Sequence, residues 1–300
     1  GDEKIGSTLK GIGPAYSDKT ARQGIRLGDL DNGRFDVMFR EQIARHTDEL
    51  NRYGQDLSQL NALCDEWKQC LDEIETYQRS DTEFFLNKAL DRGEAVLAEG
   101  AQGTLLDLEF GSYPFVTSSH TTVAGVCSGL GVAPQRIGKV LGIFKAYCTR
   151  VGSGPFPTEL NNETGEFLRQ TGHEFGATTG RPRRCGWIDL PALRYAIMLN
   201  GVTDLIMTKA DVLSGLSEIG VCTHYRTSGG QTPYFPSDLD GVEPIFKMIP
   251  GWNEPITGFT SEDALPAQLL RYIDLLEDEL ERPIRIVSVG PDRRQTIHRG

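Results

Sequence analysis

Val202-Thr203-Asp204-Leu205-Ile206-Met207-Thr208-Lys209-Ala210-Asp211 is the stretch that decides the fold. An apolar run from Val202 to Thr208 that stops on a charged turn has the pattern of a buried strand delivering a loop at its carboxyl end. Working outward, Leu190 to Leu199 after Pro191 reads as a helix. Leu265 to Leu280 reads as an amphipathic helix, and Pro283-Ile284-Arg285-Ile286-Val287-Ser288-Val289-Gly290 as a second buried strand entering a glycine loop. Val140 to Val151 reads as a third strand, and Ala95-Val96-Leu97-Ala98 as a short one leading to Glu99-Gly100-Ala101-Gln102-Gly103. Helices alternating with apolar strands predict an α/β fold, a mostly parallel central sheet flanked by helices. Ligands on such sheets sit beyond the carboxyl ends of the strands, where these loops fall.

Between the glycine clusters, Leu57, Leu60, Leu63, Cys64, Trp67, Cys70, Leu71 and Ile74 recur at helical spacing. Ser80-Asp81 and Gly93 bracket another helix as N-cap and C-cap signals. The expected organisation is one α/β domain over residues 1–300 with a helical insertion at 31–93.

The chain has 31 Lys plus Arg against 42 Asp plus Glu, a net charge of −11. Without a basic tract, this argues against binding nucleic-acid polymers, which rests on cationic neutralisation of phosphates. No apolar run approaches membrane-spanning length. The six cysteines show no C-x-x-C spacing and read as reduced, structural residues, and the five scattered histidines offer no metal-type pair. The expected location is the cytoplasm.

Several loops carry candidate chemistry. Thr208-Lys209-Ala210-Asp211 places a carboxylate where it can accept the paired N–H donors of a guanine, although a solvated helix start fits the same residues. Gly176-Ala177-Thr178-Thr179-Gly180-Arg181-Pro182-Arg183-Arg184 puts three arginines behind two hydroxyls, an anion site or else an exposed basic turn. Ser7, Thr8, Lys10, Gly11 and Gly13 form a phosphate-type loop or a plain turn; it is not a Walker A sequence. Gln102 offers an amide to a polar ring edge, and Thr117-Ser118-Ser119 is a second phosphate clamp or a capping segment. No spacing makes an acid/base pair of Asp107, Glu109 and Glu159.

Taken in order, these segments resemble the adenylosuccinate synthetase family. The resemblance runs through Lys4-Ile5-Gly6-Ser7-Thr8, Gly11-Ile12-Gly13-Pro14-Ala15-Tyr16, Arg22, Glu99 to Asp107 and Tyr113 to Ser119. It continues through Thr149 to Gly152, Gly154 to Glu159, Glu174 to Arg181, Thr208 to Asp211 and Gly290 to Arg293. It implies a P-loop-NTPase-like fold and GTP-dependent ligation of IMP and L-aspartate to adenylosuccinate through 6-phosphoryl-IMP, the first committed step of AMP synthesis.

The resemblance also implies site residues. Thr8, Arg22, Gln102, Thr117 and Arg181 would hold IMP, Arg22 reaching across a homodimer and Gln102 serving the chemistry. Ala177, Thr178, Thr179, Gly180, Arg181 and Arg183 would hold aspartate. Arg183, Lys209, Ala210, Asp211, Ser288, Val289 and Gly290 would hold GTP. The family's phosphate loop with its general base and Mg²⁺ ligand, and its general-acid histidine, lie upstream of Lys-Ile-Gly. The expectation is therefore a chain without a metal ligand of its own and inactive in isolation; the alternative is a non-catalytic nucleotide-binding or dimerisation module. Two departures stand out: Lys10 replaces the first loop's usual arginine, and Pro182 interrupts the later arginines.

Overall fold

A computed structural model describes residues 10–176 and 180–300. They form two compact units, residues 10–96 and Leu97–Gly300. The first is helical: α1 (Ile12–Thr20), α2 (Phe35–Arg52), α3 (Leu60–Glu75) and α4 (Thr82–Asp91). Phe39 stacks on Trp67 with ring centroids 4.9 Å apart, joining α2 to α3 by the helical-spacing residues that predicted α3. Asp81 precedes α4, and Gly93, at φ 77°, follows its end, as the capping signals predicted.

The second unit is mixed α/β. It comprises α5 (Val123–Leu130), β1 (Leu141–Lys145), β2 (Cys148–Arg150), α6 (Glu163–Thr171), β3 (Arg184–Gly186), β4 (Ile188–Asp189), α7 (Leu190–Asn200), β5 (Asp204–Thr208), β6 (Glu218–Thr227), β7 (Gly230–Thr232), β8 (Glu243–Pro250), α8 (Ala267–Leu280), β9 (Ile284–Ser288) and β10 (Thr296–His298). The central sheet has the order β1-β5-β9-β10. β1, β5 and β9 run parallel, and β10 returns antiparallel. Met207, Val287 and Leu205 from these strands bury against Leu269, Tyr272, Ile273 and Leu276 of α8. The amphipathic stripe of α8 thus covers the sheet as its spacing predicts. α7 starts on Asp189, whose side chain accepts from the Ala192 N–H, and Pro191 lies in its first turn, where its missing N–H costs nothing.

Two expected strands differ. Val140–Val151 is not continuous: it breaks at Ala146 and Tyr147, and β2 pairs with β3 in a separate two-stranded sheet. At the break the Ala146 carbonyl accepts from the Tyr272 hydroxyl at 2.6 Å instead of extending a ladder. Residues 95–98 form no strand; they pair with no neighbour among the described residues, and Leu97 is 88% exposed. An apolar run takes strand form only through a ladder partner, which propensity cannot supply. Nothing in the sequence pattern marks the second sheet, in which β6 pairs antiparallel with both β7 and β8 and parallel with β4.

Candidate functional site

Three parallel strands end on one side of the central sheet, and each delivers a candidate residue. β5 stops at Thr208, and Lys209 to Asp211 follow in a short helical turn. β9 lies beside β5 and stops at Ser288, so Ser288 to Gly290 emerge next to that turn. β1 lies on the other side of β5, with Lys145 opposite Thr208. The guanine-type and closing loops predicted from sequence are therefore neighbours because their strands are.

The carboxylate of Asp211 is half-buried, and burial pushes its pKa above the ordinary carboxylate value. Among the described residues it bonds only its own backbone N–H, which leaves acceptor capacity for a ligand. Lys209 sits in the left-handed region at φ 64°, and its ammonium donates to the Gly172 carbonyl at 2.6 Å. In the closing loop the Ser288 hydroxyl donates to the Gly290 carbonyl at 2.8 Å. The Gln295 side chain packs under Gly290, where an added Cβ would sit 2.3 Å from its Oε1. Gln295 also accepts from the Asp292 N–H and donates to the Thr257 carbonyl. It fixes the loop, and nothing in the sequence marked it.

Beside the β1 terminus lies a buried ion cluster. Glu174, fully buried, accepts from Lys145 Nζ at 2.7 and 2.8 Å, from Tyr147 Oη at 2.6 Å and from Arg183 Nη1 at 2.7 Å. Burial alone raises the carboxyl pKa of Glu174, but these donors hold it below its usual value. Burial pushes the Lys145 ammonium down, against the opposing pull of Glu174. Arg183 ends the predicted anion loop. In that loop Gly180, at φ 63°, donates its N–H to the Gly176 carbonyl, and Gly176 donates to the Arg181 carbonyl. Arg181 is exposed; Ala177, Thr178, Thr179 and Thr8 lie outside the described residues.

A second group surrounds Gln102. Its Nε2 donates to Thr117 Oγ1 at 3.2 Å, and Ser119 Oγ donates to its Oε1 at 3.2 Å. The two residues assigned to one ligand from sequence are thus in contact. Asp107 organises their loop, accepting from the N–H groups of Thr121 at 2.7 Å, Glu109 at 3.0 Å, and Phe110 and Thr122 at 3.2 Å. Burial would raise its pKa, but the four backbone donors keep it below the usual carboxylate value. Its role is to hold backbone. Glu159 is engaged by Arg184 at 2.7 Å. Arg150 of β2 donates to Ser112 Oγ at 3.1 Å and to the Phe115 carbonyl at 3.3 Å, tying the loop before Thr117 to that strand. Arg22 lies in the helical unit, at the end of α1, in left-handed backbone at φ 61°.

Positive φ in a non-glycine residue is uncommon and concentrates at functional sites. Among the described residues five show it, and three of them, Arg22, Gln102 and Lys209, are residues singled out from sequence. No three His, Cys, Asp or Glu side chains among the described residues converge to hold a metal. No helix among them is long and apolar enough to cross a membrane.

These features define a mixed α/β protein with polar, cation-bearing loops gathered at the carboxyl ends of parallel strands, the usual place for a nucleotide in this class. The adenylosuccinate synthetase family model matches residues 1–297, and the chain belongs to that family. It is 51% identical to the adenylosuccinate synthetase of Phocaeicola vulgatus, covering 100% of this chain and 70% of that protein. With the Christiangramia forsetii enzyme the identity is 52%, over 100% of this chain and 71% of the relative. The solved structure of fully ligated adenylosuccinate synthetase from Plasmodium falciparum superposes with a TM-score of 0.91 at 40% identity, covering 100% of this chain and 72% of that one.

Proposed function

We propose that the chain binds GTP, IMP and L-aspartate for the ligation that forms adenylosuccinate. IMP loses its N1 proton as the γ-phosphoryl group of GTP moves to O6, and GDP leaves. The aspartate nitrogen then bonds to C6, the C6–O bond breaks, inorganic phosphate departs and the amine proton is lost. Positioning and charge stabilisation carry most of such a phosphoryl transfer.

Family membership and the strand-end geometry support these roles. Asp211 accepts the N1–H and N2–H of guanine, and Lys209, anchored on Gly172, covers the base. Ser288 to Gly290 close beside it. Arg183 contacts GTP and the aspartate loop of Ala177, Thr178, Thr179, Gly180 and Arg181. The Gln102 amide meets the hypoxanthine edge of IMP. Because Thr117 Oγ1 accepts from Gln102, its own proton is available to the IMP phosphate. Thr8 and Arg181 complete that pocket, and Arg22 serves the partner chain's IMP in a cytoplasmic homodimer. Mg²⁺ would neutralise GTP phosphate charge; no three His, Cys, Asp or Glu side chains converge among the described residues, and each role above is assigned to the chain's own groups.

The observation carrying this reading is Asp211, a half-buried carboxylate without a side-chain partner among the described residues, beside Ser288 to Gly290. Calorimetric titration of the full chain with GDP, ADP and xanthosine diphosphate tests it. Asp211→Asn should weaken GDP about a hundredfold, leave ADP unchanged and improve the xanthosine ligand, whose C2 carbonyl suits an amide donor. Equal losses for GDP and ADP would remove Asp211 from base recognition.

A further inference from the structure

We propose that Glu174 is a positioning residue for Arg183, presetting its guanidinium for the nucleotide. The proposal rests on the reading above that Arg183 contacts GTP.

Glu174 and Arg183 are the two stems of the loop between them. The Arg183 N–H donates to the Glu174 carbonyl at 2.9 Å, and Phe175 bridges Pro182 just inside. Arg169 of α6 braces both, its backbone carbonyl accepting from the Glu174 N–H at 2.9 Å and its Nε donating to the Arg183 carbonyl at 2.9 Å. The side chains repeat the backbone pairing, since Glu174 Oε2 takes Arg183 Nη1 at 2.7 Å. The other donors on the carboxylate, Lys145 and Tyr147, come from the end of β1 and the break after it. One buried carboxylate therefore ties the loop to the sheet and fixes Arg183 relative to Lys145, the residue opposite Thr208 at the head of the base-recognition turn.

The charges point the same way. Glu174 brings one negative charge against the positive charges of Lys145 and Arg183, so the cluster stays cationic toward an anionic ligand. A guanidinium held before the ligand arrives loses less side-chain entropy on binding. Glutamine keeps the shape but not the charge, so it cannot hold both cations.

The test is a double-mutant cycle in the full chain, read as GDP affinity by calorimetry. Glu174→Gln should weaken GDP roughly tenfold when Arg183 is present and less than about twofold in an Arg183→Ala background. A role limited to folding predicts the same loss in both backgrounds, and that result overturns the proposal. Because Glu174→Gln leaves a buried cation excess, the charge-matched pair Glu174→Gln with Lys145→Met is measured alongside and should show the same dependence on Arg183. Nitrogen-15 NMR of the nucleotide-free chain gives an independent readout. Arg183 Nη rotation should be hindered in the wild type and free in Glu174→Gln; free rotation in the wild type also overturns the proposal. If the wild type binds no GDP, the functional reading fails, and the rotation measurement alone decides the positioning.

Discussion

Asp189 gives the sharpest stability prediction because its burial sets a magnitude. It is 4% exposed between β4 and α7. Its carboxylate accepts from the Ala192 N–H at 3.1 Å and the Tyr225 hydroxyl at 2.6 Å. Burial outweighs both bonds and raises its pKa from 3.8 to about 6. The unfolded chain releases this proton near pH 3.8, whereas the folded chain keeps it to about pH 6. Asp189 therefore contributes stability in full below pH 3.8 and loses it as pH rises through about 6. At 1.36 kcal/mol per pH unit, that displacement amounts to about 3 kcal/mol. Asp189→Asn preserves the shape, since its amide oxygen caps Ala192 and its NH₂ donates to Tyr225 Oη. Urea unfolding of both proteins from about pH 4 to 8 is the assay. Relative to the asparagine variant, the wild type should lose about 2.5 kcal/mol between the ends of that range, part of the loss having already occurred at pH 4. Carboxylates common to both proteins cancel in the difference. Parallel stability curves would show that the buried carboxylate carries no such linkage.

Two further substitutions probe the site's supports. Asp107→Asn turns one of the acceptors for four backbone N–H groups into a donor, and should cost about 2–4 kcal/mol and speed hydrogen exchange at Thr121 and Thr122 while β9 stays protected; unchanged protection at Thr121 and Thr122 would deny Asp107 its organising role. Gly172→Ala places a Cβ 2.2 Å from Tyr147 Oη and 2.7 Å from the Leu168 carbonyl. It should lower stability by about 1–3 kcal/mol in thermal unfolding and weaken GDP by displacing the carbonyl that anchors Lys209; a variant with wild-type melting and GDP affinity would show that the space is not tight.

The parts of the fold legible in sequence are those in which an apolar run meets its own loop. Val202–Asp211 and Pro283–Gly290 each contain both the strand and what it delivers, so β5, β9 and their turns were read together. The antiparallel pairing of β6 with both β7 and β8 lies outside the alternating helix–strand pattern, and Pro244 and Pro250 in β8 weaken any local strand signal. The break after Lys145 was missed too. Ala146 and Tyr147 look like strand, yet the Ala146 carbonyl accepts from Tyr272, more than a hundred residues on, and the Tyr147 hydroxyl donates to Glu174. Glu174 was visible within a motif, but its function as a hub appears only when β1, α6 and the loop to Arg183 are brought together.

Backbone conformation was the least legible feature and bears most directly on the site. Glycine clusters correctly marked loops, but the residues held at φ 61°, 69° and 64° are Arg22, Gln102 and Lys209, each with a side chain to which the proposed function assigns a ligand. Glycine at these positions would relieve on the order of 1–3 kcal/mol of strain apiece. It would also remove a guanidinium, an amide joined to Thr117 and Ser119, and an ammonium fixed on Gly172. Local preference and placement therefore conflict at all three, and placement prevails. Such a conflict is expected where a side chain serves a ligand rather than the core. Of the other two residues with positive φ, His173 immediately precedes Glu174. The turn that strains His173 also carries the Glu174 carboxylate between Lys145 and Arg183, so the same conflict of preference and placement adjoins the residue proposed to position Arg183.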